Sequence, residues 1–207
     1  MDIKYQKKIA RRCKRMIKRS YSPSASEVWK KRVELFHLLV FAQRSGRKLR
    51  IRPHEPGDFV VRDRDGTHLF EIVTIFGSKQ AYIHIDQYFR VLFDSGRSVM
   101  DIDPAKFKDD ETDIKDLLIG KLREKNEKEY FRNTGDYRSA NLLLVTAEYA
   151  SPVAIPWFSA LAKDELADIL ACKNFTQCYV LDYFAGRNGD PVIFSLEESI
   201  RQANCPD

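Results

Sequence analysis

Apolar residues recur at helical spacing twice near the start of the chain. Tyr5, Ile9, Cys13, Met16 and Ile17 predict an amphipathic helix with a narrow apolar stripe. Val28, Trp29, Val33, Phe36, Leu39 and Val40 predict a second helix, which opens at the capping-box pair Ser24 and Glu27 and stops at Ser45-Gly46. Ser22-Pro23-Ser24-Ala25-Ser26 reads as the linker between them. The period then shortens. Asp58-Phe59-Val60-Val61-Arg62 and the run from Leu69 to Ile75 read as strands of a hairpin, turned by Asp63-Arg64-Asp65-Gly66. Residues 82–93 fit a strand or a helix. A helix over about residues 113–132 follows, capped by Thr112 or Asp113. The unbroken apolar run Asn141–Thr146 then predicts a strand covered on both faces. A Pro-initiated helix from about Ile155 to Ala171 and two late strands, Cys178–Tyr183 and Pro191–Phe194, complete the pattern. That order predicts an α/β fold with a central mixed sheet flanked by helices.

Charge changes this picture at two places. The first 22 residues carry Lys4, Lys7, Lys8, Arg11, Arg12, Lys14, Arg15, Lys18 and Arg19 against Asp2 alone, although the formal charge of the whole chain is only +5. Such a cationic face suits the phosphates of nucleic acid, where each neutralised phosphate releases counterions. A helix whose stripe docks on its own domain, leaving its charges solvated, fits equally well. The stripe lacks the Trp, Phe and Leu of a membrane-surface helix. Residues 101–112 are rich in Asp and read as an acidic insertion. The remainder, 23–207, is expected to form one domain behind the basic helix at 1–22. A homo-oligomer or a protein partner could also use that helix. No apolar run approaches the roughly 18 residues of a spanning helix, and Cys13, Cys172, Cys178 and Cys205 form no disulfide framework, so a cytoplasmic setting is expected.

Candidate chemistry comes from one anomaly in the hairpin. Leu69, Glu71, Val73 and Ile75 share a strand face, so Glu71 stands on an otherwise apolar surface. A carboxylate there needs a partner or a metal. Asp58, at the start of the preceding strand, is close enough in sequence to converge with it. Two such carboxylates offer hard oxygen ligands for Mg2+ or Mn2+. His37, His54, His68 and His84 have no metal-ligand spacing, and Cys172 and Cys178 lack partner pairs for zinc.

At these residues, from about Glu27 to Thr146, the chain resembles the PD-(D/E)xK nuclease superfamily. Pro56-Gly57-Asp58 is similar to the Pro-Asp element with one residue inserted, and Glu71-Ile72-Val73 takes the place of Glu-x-Lys. The resemblance implies a restriction-endonuclease-like core and hydrolysis of DNA or RNA phosphodiesters. It further implies magnesium held by Asp58, Glu71 and the carbonyl of Ile72, with Glu34 as an assisting carboxylate. The family's lysine would orient the attacking water, and Val73 cannot. On the helix after Asp113, Lys121, Lys125 and Lys128 continue the stripe of Ile114, Leu117 and Leu118. Lys125 is the first substitute, Lys121 the second, and Lys79, in the expected loop Gly77–Gln80, the third. If the helix instead leaves the core after Leu122, those lysines are solvated. A nuclease-like module that binds nucleic acid or protein without cutting is the alternative.

Overall fold

The capping box at Ser24 forms as its spacing predicts. Its Oγ accepts from the Glu27 N–H at 3.1 Å and donates to Glu27 Oε2 at 2.6 Å. In the computed structural model the described residues are 3–17, 24–46, 49–54, 57–76, 79–95, 114–127, 137–146, 174–183 and 190–198. The acidic insertion, the helix expected at 155–171, and Lys18, Arg19 and Lys128 lie outside them. The basic segment forms helix α1 (Ile3–Met16), and α2 (Ala25–Arg44) follows. Strands β1 (Arg50–Pro53), β2 (Phe59–Arg62) and β3 (Thr67–Ile75) come next, then α3 (Lys79–Arg90), which runs into a π-helical turn at Val91–Ser95. Helix α4 (Ile114–Asn126) precedes β4 (Ser139–Thr146), β5 (Gln177–Asp182) and β6 (Val192–Ser195).

The six strands form one mixed sheet in sequence order. The β1–β2, β2–β3 and β5–β6 pairs are antiparallel, whereas β3–β4 and β4–β5 are parallel. Parallel neighbours need a crossover, and α3 and α4 lie within the β3–β4 connection. Strand alternation divides the core in two. Phe59, Phe70, Ile72, Leu143 and Leu181 pack with α1, α2 and α3. Leu69, Ile75, Leu142, Leu144 and Val180 pack on the other face with Leu118, Ile119 and Leu122 of α4.

The structure decides one open reading, adds one element and changes the expected character of α2. Residues 82–93 are helical, because Ile85, Tyr88, Phe89 and Phe93 gain a continuous contact with the first core that a β-alternation would have split between faces. Lys79 accordingly opens α3 rather than sitting in a loop. The short edge strand β1 was not foreseen: Arg50-Ile51-Arg52-Pro53 has a single buried position and gains its strand character from pairing with β2. Finally, α2 is no one-sided helix, since every residue from Glu34 to Ala42 is buried. Helix α1 shares the core of α2 through Ile9, Ala10, Cys13 and Ile17, while Lys8, Arg11, Arg12 and Arg15 are exposed. Lys14 instead turns inward, donating to the Phe93 carbonyl at 2.7 Å. Among the described residues, no helix is long and apolar enough to cross a membrane.

Candidate metal and nucleic-acid site

The ladder between β2 and β3 ends at Phe59 and Phe70, and Asp58 lies one residue outside it. Gly57 makes the break possible: its φ of 87° is left-handed, and a Cβ there would come within 3.1 Å of Leu69. The Asp58 N–H still donates to the Phe70 carbonyl at 3.0 Å, and Asp58 Oδ2 accepts the Ile72 N–H at 2.7 Å. The carboxylate thus replaces the partner strand that Ile72 no longer has. By strand alternation, the Ile72 carbonyl points toward this same vacated edge.

Helix α2 approaches from one side of the sheet. Lys31 Nζ lies 2.5 Å from Asp58 Oδ1 and 3.5 Å from Glu34 Oε2. Glu34, the assisting carboxylate of the second predicted helix, is 5% exposed. Burial, then the adjacent charge of Asp58, push its carboxyl up to about 8, with Lys31 and Lys30 opposing. Near neutral pH Glu34 therefore keeps its proton and hydrogen-bonds Asp58. Its Oε2 is buried without a hydrogen bond.

Helix α4 approaches from the other side. Lys125 Nζ lies 2.5 Å from Glu71 Oε1, and both side chains are nearly buried. The residues that carry this reach are Leu118, Leu122 and Lys125, at positions i, i+4 and i+7 on the face that α4 packs on the sheet. Lys121 is rotated off that face. It is exposed and pairs with Glu124 at 2.5 Å, so it does not join the site.

Asp58 and Glu71, each 7% exposed, are therefore neutralised by lysines from opposite helical layers, and Asp58 is tied to the N–H of Ile72, the residue after Glu71. Lys31 was not anticipated. The available signal was a pair of charged residues, Lys31 and Glu34, at i and i+3 in the helix that covers the sheet. Among the described residues, no three of His, Cys, Asp and Glu form a ready-made metal cage.

No family model, curated protein or solved structure gives a significant match to this chain. Its functional reading rests on the geometry of the site.

Other polar groups have structural partners. His37, beneath the first core, hydrogen-bonds Tyr183 through Nδ1 at 2.8 Å, and burial lowers its pKa to about 3. His68 bridges Ser139 and Asp63, and His54 meets Tyr137. These contacts fix turns and strand ends.

Proposed function

We propose that the chain is a magnesium- or manganese-dependent nuclease with a restriction-endonuclease-like core of the PD-(D/E)xK type, in which a lysine from α4 replaces the missing motif lysine. The observation that carries this reading is the placement of Lys125 Nζ on Glu71, beside the vacated edge of β3 where Asp58 meets the Ile72 backbone. The donor set fits a hard divalent cation. It consists of carboxylate and carbonyl oxygens, and one of its acids, Glu34, holds a proton because burial, and then the charge of Asp58, raise its carboxyl. Asp58, Glu71, the Ile72 carbonyl and Glu34 would hold the ion. When bound, such an ion polarises a phosphate and acidifies a water.

The chain's own residues do the remaining work. Lys125 provides an ammonium donor next to Glu71, where it can orient a water for attack. Lys31 holds Asp58 at the strand edge, and with Asp58 occupied by a cation its ammonium would be available to a substrate phosphate. Glu34 holds a proton that it would have to give up to serve as a ligand. The exposed Lys8, Arg11, Arg12 and Arg15 of α1, with Lys7 beside them, provide contacts for the strand.

A second reading has its own support. Every carboxylate at the site already has a cationic neighbour, as in a structural ion-pair network that retained a fold without the chemistry. Cleavage separates the two. With Mg2+ or Mn2+ present, wild-type protein is expected to cut at least one of plasmid DNA, single-stranded DNA, RNA or branched DNA. Asp58→Ala and Glu71→Ala are expected to abolish cutting while leaving salt-sensitive binding through α1. Binding without cleavage of any of these by wild type favours the non-catalytic reading.

A further inference from the structure

Not all of the cations of α1 are spent in the same way. Lys14 is committed to a main-chain carbonyl, Arg32 of α2 to the Ile17 carbonyl, and Arg44 to Asp190 at 2.9 Å. Lys8, Arg12 and Arg15 are different. They lie at i, i+4 and i+7, on one exposed face of α1, and among the described residues no carboxylate pairs with any of them. They also line a pocket of about 440 Å3 between α1 and the C-terminal half of α2. Its other walls among the described residues are Tyr5, Ile9, Leu39, Ala42, Gln43 and Leu49, none of them acidic. The space suits a small organic ligand rather than a lone ion. Three cations beside an aromatic ring and aliphatic side chains select a ligand that carries both phosphate and a flat, weakly polar ring.

We propose that this pocket is a nucleotide-binding subsite: the three cations take the phosphate, and Tyr5, Leu39 and Leu49 receive the base. The inference deepens the nucleic-acid reading, on which its assignment to a strand rests. The pocket abuts α2 at Leu39–Gln43, whereas the carboxylates meet α2 at Lys31 and Glu34, so a strand held here is anchored away from the point of cutting. A free nucleotide presents the same chemistry.

Titration of the full chain with adenosine monophosphate and with inorganic phosphate, followed by calorimetry and by methyl NMR of Leu39 and Leu49, tests the proposal. The nucleotide is expected to bind more tightly than phosphate and to shift both leucines. Arg12→Gln is expected to weaken it about tenfold, the worth of one charge-assisted hydrogen bond. Arg123→Gln removes the same charge from the exposed surface of α4, outside both the pocket and α1, and is expected to change little. Equal losses for the two variants, or nucleotide binding no tighter than phosphate, would overturn the pocket in favour of diffuse charge. Displacement of the nucleotide by a short single-stranded oligonucleotide supports the strand assignment. Failure to displace overturns that assignment and leaves a free-nucleotide site. Loss of cleavage in Asp58→Ala tests the nuclease reading separately, without touching the pocket.

Discussion

Lys125→Met is expected to cost about 3–5 kcal/mol of stability and to slow metal-dependent cleavage by about two to four orders of magnitude. The stability loss comes from removing one partner of a nearly buried ion pair, so that Glu71 must remain charged in a poor environment or take up a proton. Under the proposed nuclease reading, the rate loss comes from the missing donor beside the attacked phosphate. The two effects separate in the double variant Glu71→Gln/Lys125→Met. Replacing both charges by neutral groups of similar shape restores most of the stability, as buried pairs generally allow, but restores no cleavage. Denaturant unfolding and a single-turnover cleavage assay measure the two quantities on the same proteins. A Lys125→Met protein that cuts at the wild-type rate would remove the lysine from the chemistry.

The pH dependence of stability should conceal two large and opposed contributions. His37 ionises near 6.5 when unfolded but only near 3 when buried. The unfolded chain then binds the extra proton, so this contribution is fully present above about pH 6.5 and is lost as pH falls toward 3. Glu34 behaves oppositely. Its carboxyl titrates near 4.5 when unfolded and near 8 in the fold, so the native state holds the extra proton and stability falls as pH rises through that interval. Between pH 4.5 and 6.5 the slopes cancel, and these two groups together leave the wild-type profile nearly flat. Single variants expose each term. From pH 4.5 to 6.5, Glu34→Gln should gain about 3 kcal/mol and His37→Gln should lose about as much, two pH units at 1.36 kcal/mol each. Urea unfolding of the three proteins across this range is the measurement, and parallel profiles would contradict both assignments.

The sequence made β3 and its anomaly legible because a strand sorts its side chains by parity. Glu71 among Leu69, Val73 and Ile75 is visible without coordinates. The contact of Lys125 was partly legible, since a helix that packs through Leu118 and Leu122 must carry the residue at i+7 toward the same surface. The α2 half of the site was not. Its helix is buried on all sides from Glu34 to Ala42, so no apolar stripe pointed to the sheet, and Lys31 reaches Asp58 only through the crossing of α2 over β2. The identity of α3 was hidden by its β-prone aromatics, which serve a helix as readily once a core lies against them. Edge strand β1 is set by its neighbour more than by its own four residues.

The central claim is that Asp58 and Glu71 share a divalent cation, and a manganese-soaked crystal tests it most directly. The account predicts an anomalous peak at about 2.1 Å from oxygens of Asp58 and Glu71, near the Ile72 carbonyl, with Lys31 displaced from Asp58. A fully soaked crystal with no peak there, and with the Lys31–Asp58 and Lys125–Glu71 pairs intact, would contradict it.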